Sequence, residues 1–131
     1  MNQESTSNLT HGTWLMLKIT YGLVALIAGV DKFFYFITSW EKYLSPSLAS
    51  FLPVESHSFM YLVGLIEITV GIMILTKFTR LGAYLLAVWL VLIIANLLSI
   101  GGYYDIAVRD SVMAIGALAL AQLTLIQEQK L

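Results

Sequence analysis

The stretch LVGLIEITVGIMILTKFTRLGAYLLA, Leu62 to Ala87, decides how the chain is read. Two apolar runs flank the short polar step TKFTR, Thr76 to Arg80. A step that short makes the runs antiparallel neighbours, with Thr79 placed to cap the second. Glu67 stands in the middle of the first run, between Gly64 and Gly71. On a helix these positions, at i−3 and i+4, share one face. Glycines so spaced let another helix come close, so Glu67 is expected to point into a helix interface and not into lipid.

The rest of the sequence agrees with a membrane setting. Hydrophobic residues make up 59% of the 131 and charged residues 11%, against about 25% charged in a soluble domain. A helix needs about 20 mainly apolar residues to cross the hydrocarbon core. Four segments qualify, at about 14–36, 59–76, 81–100 and 106–126, and the third lies in a charge-free stretch that continues to Tyr104. They are continuous apolar runs without strand alternation, which argues against a barrel. Helices also satisfy their own backbone groups in lipid. The fold expected is all-α: an integral membrane four-transmembrane-helix bundle, one domain over 13–131, behind a flexible polar tail over 1–12. The first run has a long polar head and no small-x-small cleavage site, and it stays apolar to Trp40, so it reads as a retained span.

The connections add detail. Gly101 and Gly102 end the third span, and Asp105 is placed to cap the fourth. The longest loop, about Thr38 to Ser58, contains SPSLASFLP, with Ser45 as a cap, Pro46 in a first turn and Pro53 closing. A short interfacial helix is expected there, with Trp40 and Tyr43 at headgroup level. His57, beside Glu55, reads as a surface loop residue. Lys18, Lys77, Arg80 and Lys130 fall on one side of the membrane. Lys42 falls on the other, with Lys32 and Arg109 inside helices. The positive-inside rule then puts both termini in the cytoplasm and the long loop outside.

Ionisable groups inside a span cost about 2.5–3.5 kcal/mol each at a helix centre. Those present are Asp31 and Lys32 on the first span, Glu67 on the second, and Arg109 and Asp110 on the fourth; Asn96 on the third is a neutral addition. Asp110 shares a stripe with Ala114, Ala117 and Ala121, and Asn96 lines up with Gly82, Trp89 and Leu92. The six residues are expected to form a buried polar cluster in the outer half of the bundle. Asp31 with Arg109 is the preferred ion pair and Lys32 with Asp110 or Glu67 the next, with a protonated Glu67 as the other choice. The same residues can also stitch helix ends together without doing any chemistry. No catalytic set stands out. With no cysteine and only His11 and His57, no metal-ligand set does either. A net charge of −1 gives nucleic acid no attraction.

Three stretches together resemble the DoxX-like family of small four-helix bacterial membrane proteins. YGLVALIAGVDKFF resembles its first helix. The opening stretch resembles its second helix, turn and third helix, with the membrane glutamate at Glu67 and the Thr-Arg step at Thr79 and Arg80. YYDIAVRDSVMAIGALALA resembles its fourth, with the Arg-Asp step at Arg109 and Asp110. The resemblance covers nearly the whole chain from about residue 14. It implies a bundle in the bacterial cytoplasmic (inner) membrane. Some relatives serve redox systems, such as the small subunit of a thiosulfate:quinone oxidoreductase, so a quinone is implied by the resemblance alone. No cofactor is evident in the residues themselves.

The reading expected first is a membrane subunit or anchor of a larger, quinone-linked redox system, working with a protein partner or as a homo-oligomer in the lipid bilayer, and not an enzyme by itself. The alternative is an autonomous carrier or proton/ion pathway using Glu67. A stand-alone enzyme with an acid–base outer pocket ranks last.

Overall fold

Asn2 starts the first helix: its side-chain carbonyl accepts a hydrogen bond from the Ser5 N–H at 2.8 Å, satisfying one of the orphan donors of a helix start. In the computed structural model, which describes residues 2–129, helix α1 then spans Gln3–Phe34. A 3₁₀ turn, Trp40–Tyr43, and a short helix α2, Pro46–Phe51, follow. The remaining helices are α3, Ser56–Leu75, α4, Thr79–Ile100, and α5, Tyr104–Glu128. Helices α1, α3, α4 and α5 are each long and apolar enough to cross a membrane. The chain is therefore an all-helical membrane protein with four spans, and the short helix expected in the first loop is α2.

The helix ends differ from the sequence reading in three places. Residues 3–12, read as a polar tail, are helical, because Asn2 caps them and the α5 end supports them. Further along α1, the Trp14 indole donates to Thr124 Oγ1 at 2.9 Å, and His11 Nδ1 lies 3.1 Å from Gln127 Oε1. Thr79 does not cap α4. Its hydroxyl donates to the carbonyls of Ile74, at 2.7 Å, and Thr76, at 2.9 Å, so it fastens the end of α3. Asp105 is not the cap of α5 either. It sits in the first turn after Tyr103, where an acid still suits the helix dipole. Lys130, counted among the basic residues of one membrane side, lies outside the described residues.

The four spans form a ring in which α1 packs on α3, α3 on α4, α4 on α5 and α5 on α1. Lipid tails are as apolar as leucine, so association in a bilayer rests on close packing and polar contacts. Glycine makes the closest approach possible. A Cβ on Gly29 would lie 2.7 Å from the Gly64 carbonyl oxygen, and a Cβ on Gly64 would lie 2.7 Å from that of Gly29. Two turns away, a Cβ on Gly71 would lie 2.9 Å from the Gly22 oxygen. This is the register of an antiparallel pair, with the backbones of α1 and α3 in contact. Helices α4 and α5 meet through other small residues, Ala83 and Ala87 against Ala114, Ala117 and Ala121, with Leu86, Leu90 and Leu120 filling the layer. Between α1 and α5, the Tyr21 hydroxyl fills the space where Gly116 lacks a side chain and donates to the Met113 carbonyl at 2.9 Å.

The loop between α1 and α3 folds back on the bundle. Leu44 is buried with Met60 and Val63, and Trp40, Leu52, Phe59 and Trp89 pack around them. The loop thus forms a cover at one end of the bundle.

Gly29→Leu should push against backbone and not against a flexible side chain. A loss of about 3 kcal/mol, the upper end of overpacking costs, is expected, read as a lower thermal midpoint in detergent. Gly12→Ala, with nothing within 4 Å of the added carbon, should leave that midpoint unchanged or slightly raised.

Candidate functional site

An amine and a carboxylate can both remain charged away from water when each satisfies the other. Lys32 on α1 and Glu67 on α3 do this at a distance of 2.8 Å, with side chains 6% and 8% exposed. The Gly29–Gly64 contact one turn away makes this reach possible, since Lys32 Cβ lies 3.1 Å from where a Gly64 side chain would start. The ammonium also stacks on the Trp40 ring, 3.8 Å from its centroid, a cation–π contact strengthened by desolvation. Lys32 is thus enclosed between an anion on the bundle side and an aromatic face on the loop side.

Asp31 holds that aromatic in place. Its Oδ2 accepts from the Trp40 indole N–H at 2.9 Å. Its Oδ1 accepts from the Phe36 N–H at 2.8 Å, and the Ile37 N–H lies 3.1 Å from both oxygens. These donors come within reach because Tyr35 ends α1 in the left-handed region, φ 59°, and turns the chain back over the helix end. The expected Asp31–Arg109 ion pair does not form. Asp31 is satisfied by its own chain, and Arg109 points outward, 66% exposed, with Nε 3.6 Å from Asp110 Oδ1. The first two preferences are therefore reversed, since Lys32 with Glu67 is the pair within 4 Å.

Asp110 is buried on α5. The Trp89 indole N–H lies beside Glu67 yet closes no hydrogen bond. Asn96 has a different task. Its carbonyl accepts from the Ser45 N–H at 2.8 Å and its amide donates to the Tyr43 carbonyl. It pins the loop to α4. The six residues read as one cluster thus divide three ways. Lys32 and Glu67 form the pair, and Asp110 is buried on α5. Asp31 and Asn96 bind the loop down. Arg109 lies at the surface.

A second polar group was not apparent in the sequence. Tyr35, Glu41, His57 and Tyr61 meet at the open edge of the loop. The Tyr35 hydroxyl donates to Glu41 Oε1 at 2.6 Å, and His57 Nδ1 is 2.8 Å from the same oxygen. His57 Nε2 is 2.6 Å from the Tyr61 hydroxyl. Burial, then the hydrogen bond to Glu41, pushes the Tyr35 phenol well above its ordinary pKa. Burial raises the Glu41 carboxyl, but the hydrogen bonds from Tyr35 and His57 help to outweigh it, and the net shift is downward. The i, i+4 spacing of His57 and Tyr61 was the signal available; the loop fold that brings Glu41 and Tyr35 to them was not.

A family model described as DoxX matches residues 13–99, well over half of the chain. The match takes in α1 from residue 13 onward, the loop, α3 and nearly all of α4, and so the Lys32–Glu67 pair with its cover; it ends before α5. No curated protein and no solved structure matches the chain.

Breaking the pair from one side should be costly. Lys32→Met leaves Glu67 buried without its cation, and a loss of about 3–5 kcal/mol is expected. The double variant Lys32→Met/Glu67→Met should recover most of it. Thermal unfolding of both single variants and the double variant in detergent measures the coupling. Additive losses would show that the pair is not coupled.

Proposed function

The chain belongs to the DoxX family, and on that premise we propose that it is a membrane subunit or anchor of a larger, quinone-linked redox system. The observation that carries this reading is the way the polar groups are used. The mid-span carboxylate is matched by Lys32 at 2.8 Å, and Lys32 is covered by Trp40. Asp31 and Asn96 then bind the loop to two helix ends. The result is a fixed surface at one end of a bundle whose other half is packed with leucine and alanine. A preformed surface on a rigid scaffold suits docking, because little order has to be gained on binding. The quinone link rests on the family resemblance.

A carrier or proton pathway is the second reading, favoured by two buried carboxyl groups on the spans, Glu67 and Asp110. It requires the Lys32–Glu67 pair to open in the working cycle. Unchanged proton flux in proteoliposomes after Glu67→Gln would rule it out.

The membrane in question is the bacterial cytoplasmic membrane, with both termini inside. Lys18, Lys77 and Arg80 support that orientation, and Lys42 and the exposed Arg109 weigh against it. The chain has no cysteine, so single cysteines report cleanly. Ser47→Cys should react with a membrane-impermeant maleimide in intact cells and Gln129→Cys only after lysis; the reverse pattern would invert the topology. The subunit reading itself is tested by native mass spectrometry of the protein extracted mildly from its own membrane. A reproducible protein partner is expected. A homogeneous monomer without one would overturn it.

A further inference from the structure

The Tyr35, Glu41 and His57 side chains converge from three elements: the end of α1, the 3₁₀ turn and the first turn of α3. Their polar atoms form a triangle. Tyr35 Oη to Glu41 Oε1 is 2.6 Å, Glu41 Oε1 to His57 Nδ1 is 2.8 Å, and Tyr35 Oη to His57 Nδ1 is 3.2 Å. Three donors on one face of an octahedron, with bonds of about 2.1 Å, stand about 3.0 Å apart. The three edges bracket that value.

We propose that Tyr35 Oη, Glu41 Oε1 and His57 Nδ1 form a facial binding site for a first-row transition-metal ion, ferric iron above all.

Four features support it. The donor set is one imidazole nitrogen and two hard oxygens, a phenol and a carboxylate, and hard anionic oxygens favour a trivalent hard ion. The far side of the histidine is held: His57 Nε2 lies 2.6 Å from the Tyr61 hydroxyl, and when Nδ1 binds a metal in place of its contact with Glu41, Nε2 carries the ring hydrogen and donates to that hydroxyl, the outer contact that fixes ring and tautomer in metal sites. Tyr61 is itself held by stacking on Phe33, with ring centroids 5.0 Å apart and planes 8° from parallel. The site is open, with the His57 side chain 50% exposed and that of Glu41 30% exposed, so water can complete the coordination.

The backbone supplies an independent argument. Among the described residues Tyr35 alone, apart from glycine, has positive φ, at 59°. A bulky residue there is strained, and such strain collects at functional positions. The strain is held by Asp31, which takes the next two N–H groups and aims the phenol at Glu41 and His57. A glycine at this turn would relieve the strain and remove a donor.

Binding exchanges the phenol proton for the metal. Tyr35 Oη–H gives up its proton to solvent, the phenolate oxygen binds, and no electron is transferred. The site is independent of the redox-subunit reading above.

The test is titration of the untagged protein in detergent with ferric nitrilotriacetate, read by visible absorption. One equivalent should produce a phenolate-to-iron charge-transfer band. Tyr35→Phe should abolish the band while helix content and elution volume stay those of the parent. Tyr61→Phe should keep the band and weaken affinity by roughly 10–100-fold, as loss of an outer contact does. If Tyr35→Phe does not fold, Glu41→Gln and His57→Gln serve in its place, and each should weaken binding at least as much as Tyr61→Phe. No band in the parent protein would overturn the proposal. So would a band that survives Tyr35→Phe, or unaltered affinity in Glu41→Gln and His57→Gln.

Discussion

A carboxylate near the middle of a membrane span has to be neutralised, and much of this structure follows from how that is done. Glu67 lies far from either end of α3, so its side chain cannot reach water easily. Lys32 reaches it from α1. The reach is short because Gly29 and Gly64 remove the side chains that would hold the helices apart. The ion pair and the glycine contact are two parts of one arrangement. The pair costs desolvation, and the backbone approach lets it form with good geometry.

The loop completes the arrangement. An ammonium with one carboxylate partner has donors to spare, and the Trp40 face covers it. Trp40 stays in place because Asp31 holds its N–H, and Asp31 is free to do so because it is not spent on an arginine across the bundle. Adjacent residues thus have different roles. Lys32 turns into the bundle toward α3, and Asp31, about 100° around the helix, turns to the chain that follows. The same turn leaves Tyr35 in a left-handed conformation and places its phenol beside Glu41 and His57.

Polar residues in a membrane chain are therefore poorly described as one cluster. Of Asp31, Lys32, Glu67, Asn96, Arg109 and Asp110, Asp31 and Asn96 act on the loop and Arg109 lies at the surface. In hydrocarbon an unsatisfied backbone N–H is itself costly. An acid near a helix end thus finds local N–H groups before it finds a distant cation.

The sequence alone determined the number of spans and the antiparallel turn at Thr76–Arg80, because span length and hydropathy are set by bilayer thickness and not by packing. It also determined that Glu67 shares a face with Gly64 and Gly71, which follows from helical periodicity. Only the tertiary structure decided which carboxylate meets Lys32. Asp110 and Glu67 were both candidates, and the choice depends on which helix the glycine face meets. The caps at Thr79 and Asp105 were misread because hydroxyls and acids at helix ends serve several backbone groups, and only the real chain path shows which lie in reach. The Tyr35–Glu41–His57–Tyr61 group was hidden for the same reason. Three of its members are close in space only after the loop folds back, and the turn that folds it uses a conformation that tyrosine seldom adopts.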